Sequence, residues 1–174
     1  MNTEQFWQLI ESVHNTDTCL DKCDLLVEKL QAYSVEDILS FQHQLDQAMV
    51  KSYTSLLWAA AYLLTEGCSD DCFDYFRAWL ILNGRAFYER AVQSPDELSQ
   101  LLTDEMLDNL ECEELLGVAF SAYQEKTDKD DFYDVYYAIY EPQTLPNIQL
   151  DWYEDDEEAL AELLPQLYQW LEGN

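Results

Sequence analysis

Apolar residues recur at helical spacing through the first third of the chain. The first apolar face is formed by Phe6, Trp7, Ile10 and Val13. Side chains three and four positions apart lie on one side of a helix, so this spacing predicts an amphipathic helix over residues 3–14. The same period predicts helices over residues 19–32 and from residue 34 to about residue 53. Ser34, with Asp37 three positions on, resembles a capping box at the start of the latter.

The most apolar stretch is residues 56–85, LLWAAAYLLTEGCSDDCFDYFRAWLILNGR. Residues 56–64 are apolar on all sides, which predicts a helix buried inside the protein. Nine residues are too few to cross a bilayer. Gly67 is expected to end this helix in a left-handed conformation, and Ser69 to begin the next as its N-cap. Gly84 is expected to end that second helix.

Shorter helices are predicted in the second half of the chain. The sequence Ser-Pro-Asp-Glu at residues 94–97 is typical of a helix start, and residues 112–124 again show the helical period. Residues 132–140 are rich in aromatics, which favours a strand, but their apolar spacing favours a helix. Prolines mark a loop over residues 141–149, and Pro165 should kink or restart the closing helix.

These patterns predict an all-α fold. The chain of 174 residues contains no repeat, low-complexity tract or linker, and its length suits one domain. We therefore expect a single domain over residues 1–174, built as an irregular bundle of about eight helices.

The central segments LWAAAY, GCSDD, FDYFRAWLI and GR resemble the core signature of domain-of-unknown-function family 4240, which is found in bacteria. Weaker matching pieces are Phe6–Trp7, Pro95–Asp96, Glu113–Glu114–Leu115 and Leu164–Pro165–Gln166–Leu167. The chain departs from the pattern at Thr65–Glu66 and at Cys72. The resemblance implies a bacterial cytoplasmic protein that forms a single unit, and it brings no activity with it.

The charge is strongly one-sided, with 36 acidic and 8 basic residues and a formal net charge of −28. This balance disfavours direct binding to nucleic acids and to anionic membranes. Basic proteins and cations remain as partners that this charge would attract. The alternative is that the charge serves only to keep the protein soluble. No signal peptide and no membrane-spanning run is expected. The five cysteines are interpreted as reduced thiols of a cytoplasmic protein.

Two cysteine pairs have a spacing that permits structural zinc, namely Cys19 with Cys23 and Cys68 with Cys72. Cys19 and Cys23 lie on an apolar helical stripe, where cysteine usually acts as a small buried hydrophobe. The sequence therefore predicts no metal ion and no cofactor. Cys68 lies at a helix N-terminus, where a thiolate would be favoured, although packing at the corner is the simpler interpretation.

A possible functional corner consists of Cys68, Asp70, Asp71, Asp74 and Arg77. Its carboxylates could bind a divalent cation. Acidic residues in a first helical turn are equally explained by the helix dipole, and Asp74 with Arg77 by an i,i+3 ion pair. No catalytic motif accompanies the corner, so no catalytic residue is assigned.

A possible partner-binding segment consists of Trp152, Tyr153, Glu154, Asp155, Asp156, Glu157 and Glu158. It combines aromatic side chains, which concentrate affinity, with charge, which speeds encounter. The alternative is that Trp152 belongs to the core and that the acids begin a helix. Any exposed tyrosine among residues 133, 136, 137 and 140 would also suit a protein interface.

The leading hypothesis is a non-enzymatic, acidic cytoplasmic protein that binds a basic protein partner, as immunity proteins and DNA mimics do. The second hypothesis is a small enzyme or divalent-cation-dependent protein centred on Asp70, Asp71, Asp74 and Arg77. A flat acidic face rimmed by aromatics would favour the first, and a concave polar pocket at the corner would favour the second. The oligomeric state stays open.

Overall fold

The computed structural model describes residues 1–153 and 156–173. Eleven α-helices and one 3₁₀ helix occur in these ranges, and no strand does, which confirms the all-α prediction. The helices are α1 (Thr3–Glu11), α2 (Cys19–Leu30), α3 (Val35–Lys51), α4 (Ser55–Leu64), α5 (Asp70–Leu82), α6 (Arg85–Gln93), the 3₁₀ helix η1 (Pro95–Gln100), α7 (Asp104–Leu107), α8 (Glu114–Thr127), α9 (Phe132–Tyr137), α10 (Glu157–Leu163) and α11 (Pro165–Glu172).

The helix boundaries in the first half follow the predicted caps. The Ser34 hydroxyl accepts the backbone N–H of Asp37 at 3.1 Å, and the Ser69 hydroxyl accepts that of Cys72 at 3.3 Å. Gly67 has a φ of 125°, a backbone conformation that glycine adopts without steric cost. These local interactions set the corner between α4 and α5.

The core is built around α4 and α5. The Trp58 ring stacks on Phe73 at 4.7 Å, and its indole N–H donates to the Cys68 carbonyl at 3.0 Å, so α4 is fixed against the start of α5. Helix α2 packs along α8, and α3 packs against both α5 and α8. Buried apolar side chains from α1 to α11 form one connected cluster.

Two boundaries in the second half refine the predicted pattern. Residues 95–100 form a 3₁₀ helix instead of an α-helix, and the Ser94 side chain makes no cap hydrogen bond. The aromatic stretch after residue 131 is helical, as the apolar spacing indicates, but it ends at Tyr137.

Leu164 leaves helical geometry with φ −132° and ψ 59°, and Pro165 begins α11, which confirms the predicted restart.

Asp96 holds the N-terminus of α11. Its Oδ1 accepts the backbone N–H groups of Gln166 at 2.8 Å and Leu167 at 2.9 Å, and its Oδ2 accepts the Gln166 side-chain amide at 2.9 Å. This carboxylate satisfies donors that a helix start leaves without an internal partner. Two of the outlying pieces of the family resemblance, near residues 95 and 165, therefore meet in the fold.

A disulfide joins Cys19 at the start of α2 to Cys112 just before α8, with a Cα–Cα distance of 5.9 Å. The prediction that all five cysteines are reduced is wrong for this pair. Local spacing does not indicate this pairing, because Cys112 stands apart from both cysteine pairs along the chain. None of the described helices is long and apolar enough to span a bilayer.

Candidate functional site

Arg77, the only base of the predicted corner, is turned into the core and is 1% exposed. Its Nε donates to the Phe73 carbonyl at 3.3 Å, and its terminal nitrogens donate to the Met49 carbonyl and the Asp74 carboxylate. The guanidinium also lies over the Tyr53 ring, 5.0 Å from the centroid. Burial lowers the Arg77 pKa, and the charge of Asp74 opposes this change. Arg77 therefore braces the core and is not free to bind a ligand.

Cys68 is buried, and its sulfur lies 2.7 Å from that of Cys72. Burial raises the pKa of the Cys68 thiol, and the contact with Cys72 raises it further. A nucleophilic cysteine needs the opposite change, towards a stable thiolate. The position at the start of α5 thus does not produce the activated thiol that the sequence allowed.

The carboxylates of the corner are divided between two environments. Asp70 is exposed in the first turn of α5, where the helix dipole favours it. Asp71 and Asp74 line an open groove of about 610 Å³ together with Glu113 and Glu114 from the start of α8. Within the described residues these carboxylates do not converge closely enough to form a ready cation site.

Tyrosines form the rim of this groove. Tyr133 lines the groove beside the four carboxylates, and Tyr75 lies in its wall. Desolvation and the negative charge of Glu113 raise the Tyr75 pKa. The groove thus combines negative charge, a hydroxyl donor and an aromatic face.

A second exposed tyrosine extends this rim along α9. The Tyr133 and Tyr137 rings are 48% and 52% exposed, and they stack with centroids 6.2 Å apart. Tyr137 in turn lines a shallow pocket of about 230 Å³ that also includes Leu145. We call the whole region the acidic–tyrosine surface. It consists of Asp71, Asp74, Glu113, Glu114, Tyr133, Tyr137 and Leu145.

The other aromatic side chains of α9 point inwards. Tyr136 is buried and donates its hydroxyl hydrogen to Asp46 at 2.7 Å, while Phe132 packs in the core. In the sequence, the pairs Phe132–Tyr133 and Tyr136–Tyr137 each place one ring inside and one outside. The spacing of Tyr133 and Tyr137 by four residues was the available signal for this exposed face.

The predicted partner-binding segment begins with a structural residue. Trp152 is 4% exposed, and its indole N–H donates to the Ser55 carbonyl at 3.1 Å and to the Ser55 hydroxyl at 3.2 Å. The ring packs 5.5 Å from Tyr62. The prediction that Trp152 is an exposed anchor is therefore wrong, because tryptophan here fills the core beside α4. Tyr153, in contrast, is 80% exposed.

The acids of that segment begin α10. The Asp156 side chain accepts the backbone N–H of Ala159 at 3.0 Å as the N-cap. Glu157 accepts the Tyr168 hydroxyl at 2.9 Å, and Glu158 is exposed in the first turn. Glu154 and Asp155 lie outside the described residues. The described part of the segment matches the alternative interpretation, in which acids start a helix.

Fold and site together define a strongly acidic, all-α protein with a carboxylate groove edged by tyrosines. The chain belongs to the family described as "Protein of unknown function (DUF4240)", whose model matches residues 1–125. The four groove carboxylates lie inside this match, while Tyr133 and Tyr137 lie beyond it. Searches of curated proteins and of solved structures yield no match.

Proposed function

We propose that this chain is a non-enzymatic, cytoplasmic binding protein that engages a basic protein partner through the acidic–tyrosine surface. The observation that carries the proposal is the pair of exposed, stacked rings of Tyr133 and Tyr137 beside a groove with four carboxylates. Large exposed aromatics are enriched in interfaces, and a net charge of −28 favours a basic partner.

The arrangement suits the side chains of arginine and lysine. A cation seated in the groove would contact carboxylates from α5 and α8 and the ring face of Tyr133 at once. Ion pairs and cation–π contacts then act on the same group. Tyr137 and Leu145 would pack against apolar parts of the partner, which concentrates affinity in a few desolvated contacts.

Neutralisation of a basic effector, in the manner of immunity proteins or DNA mimics, is the role that fits this chemistry. The same charge opposes direct contact with nucleic acids and with anionic membranes. The alternative of an enzyme or cation-dependent protein at Asp70, Asp71, Asp74 and Arg77 receives no support from the described residues. Arg77, the only basic residue of this group, is buried in the core, where it donates hydrogen bonds to Met49 and Asp74.

The test is capture of binding proteins from a lysate of the native host by the immobilised full-length protein, followed by kinetic measurement of the captured species. The double variant Tyr133→Ala/Tyr137→Ala should dissociate faster, because it loses the desolvated contacts. The double variant Asp71→Asn/Glu113→Gln should associate more slowly and depend less on salt, because it loses steering charge.

Matched control variants replace the same types of residue at positions outside the acidic–tyrosine surface. Tyr153→Ala deletes an exposed tyrosine that is not part of the acidic–tyrosine surface, and Asp130→Asn/Glu158→Gln removes one exposed Asp and one exposed Glu that are also not part of it. Both controls should bind as wild type does, and circular dichroism should show that all variants keep their helix content. Unchanged kinetics in both surface variants, or equal losses in the controls, would contradict the proposal.

A further inference from the structure

Three cysteine sulfurs converge at the contact between α2 and the start of α8. Cys19 and Cys23 lie one turn apart on α2, and Cys112 reaches them from the segment before α8. The three Sγ atoms lie within 4.8 Å of one another. Among the described residues, no other group of three or more His, Cys, Asp or Glu donors meets this geometry.

The distance between the Cys23 and Cys112 sulfurs matches that of two thiolates bound to one metal ion. Zinc binds sulfur at about 2.3 Å with tetrahedral angles, which places two bound sulfurs about 3.8 Å apart. The Cys23 and Cys112 sulfurs are 3.7 Å apart. The sulfur of Cys19 is bonded to that of Cys112 in the disulfide, so reduction must separate these two atoms before all three can act as ligands.

A carboxylate and a surface cavity lie beside Cys19. Glu114, the first residue of α8, places Oε2 at 3.2 Å from the Cys19 sulfur. Cys19 lines a surface cavity of about 220 Å³, and Cys23 and Cys112 are buried. A cation can therefore reach the Cys19 side of the cluster from solvent. Ligand count, spacing and access are the features that a metal site requires.

We propose that reduction of the Cys19–Cys112 disulfide opens a site for a thiophilic divalent cation of the zinc type. A dithiol reductant passes two electrons and two protons to the two sulfurs and is itself oxidised to a cyclic disulfide. Cys19, Cys23 and Cys112 then bind the cation as thiolates, and their three protons go to solvent. Glu114, whose carboxylate contacts the Cys19 sulfur but is not within 4.8 Å of all three sulfurs, moves closer to supply the fourth ligand. Sulfur donors select zinc over magnesium or calcium, which prefer oxygen.

The site is distinct from the acidic–tyrosine surface in all but Glu114, which borders both. It does not include Cys68 and Cys72, whose sulfurs contact each other. These two cysteines provide a matched control, because they can be replaced without removing a sulfur from the cluster.

Cobalt(II) is the probe, since its absorption reports both thiolate ligands and tetrahedral geometry. The full-length protein is reduced with a dithiol, freed of reductant without oxygen, and titrated. One equivalent of cobalt per chain should give thiolate-to-metal charge-transfer absorption and strong d–d bands, and zinc should displace it. Protein with the disulfide intact should show neither signal. Absence of the charge-transfer band in the reduced wild type would overturn the proposal.

Variants then assign the ligands. Cys23→Ser should weaken cobalt binding by at least about tenfold and should reduce the charge-transfer intensity. Loss of a group that only hydrogen-bonds to a metal ligand already weakens metal binding by about tenfold or more, so loss of a ligand itself should cost at least as much. Cys68→Ser/Cys72→Ser should bind as wild type does. Glu114→Gln should keep the charge-transfer band but shift the d–d bands.

Two results would contradict this assignment. Loss of the signal in Cys68→Ser/Cys72→Ser would place the site at the other cysteine pair, and an unchanged spectrum in Glu114→Gln would remove the carboxylate from the ligand set. Circular dichroism identifies any unfolded variant. If Cys23→Ser does not fold, the wild-type titration and the Cys68→Ser/Cys72→Ser control still decide the proposal.

Discussion

Trp152 and Tyr153 are adjacent in sequence and have opposite environments. The tryptophan lies in the loop that precedes α10, packs against α4 and is hydrogen-bonded to Ser55, whereas the tyrosine projects into solvent. A pair of neighbouring aromatics therefore offers a direct comparison of buried and exposed side chains within one variant series.

Trp152→Ala should lower the free energy of unfolding by about 3–5 kcal/mol, because it removes a large buried ring and leaves a cavity. Tyr153→Ala should change it by less than about 0.5 kcal/mol, as exposed substitutions generally do. Urea denaturation followed by far-ultraviolet circular dichroism measures both. Similar small effects for the two variants would mean that Trp152 does not support the core.

At the scale of single residues, the sequence predicts contacts that lie within one turn. Ser34 and Ser69 cap helices as expected, because each bonds a group three positions ahead. The partners of Arg77 include Met49 and Tyr53, which are distant in sequence. Nothing local distinguishes a buried arginine from an exposed one, so its role in the core could not be predicted from spacing alone.

Among the helices, α11 depends on a side chain from η1. Asp96→Ala should lower the free energy of unfolding by about 1–2 kcal/mol, since it removes a carboxylate that accepts two backbone N–H groups at a helix start. The amides of α11 should exchange hydrogen faster than in the wild type, because this helix opens more readily. Native-state hydrogen exchange with mass spectrometry provides the measurement.

The control for this substitution is Asp130→Ala, which removes an exposed aspartate before α9. It should leave both the stability and the α11 exchange rates unchanged. If Asp96→Ala alters exchange equally in all helices, the carboxylate contributes general stability and does not anchor α11 in particular.

At the scale of helices, the period of the apolar residues was sufficient to distinguish helix from strand. It did not distinguish an α-helix from a 3₁₀ helix. The apolar spacing at Phe132 and Tyr136 outweighed the aromatic preference for strand, because both rings pack into the helical core. The start at Pro95 gave a 3₁₀ helix, a distinction that the N-terminal signals do not encode. The predicted restart at Pro165 was correct because proline removes a backbone donor in any context.

For the whole molecule, the net charge of −28 should make stability depend on ionic strength. Like charges on one compact surface repel one another, and salt reduces the range of this repulsion from about 30 Å at 0.01 M to about 8 Å at 0.15 M. The melting temperature should therefore rise when sodium chloride is added over this range. Differential scanning calorimetry measures it.

A matched concentration of an uncharged solute such as glycerol serves as the control, because it does not screen charge. Its effect over the same range should be smaller than that of the salt. A melting temperature that stays constant or falls with sodium chloride would show that self-repulsion does not limit the stability of the fold.

The sequence determines the total charge directly, but it does not determine where the charges gather. The groove draws its carboxylates from two helices, α5 and α8, which are separated by more than thirty residues. The cysteine cluster likewise joins α2 to Cys112, at a sequence separation of 93. Both sites depend on packing between distant segments, so spacing within a single helix could suggest some members but not the complete sets.

The part of the chain after residue 125 completes the core begun by residues 1–125, the part that the family model matches. The buried side chains that it contributes are Phe132, Tyr136, Trp152, Leu160, Leu164 and Leu167. A truncation after residue 125 would leave their apolar partners in α3, α4 and α8 facing water, as a surface prone to aggregation. A fragment cut at the family boundary would thus be a poor substitute for the protein, and structural or binding work requires the helices that follow.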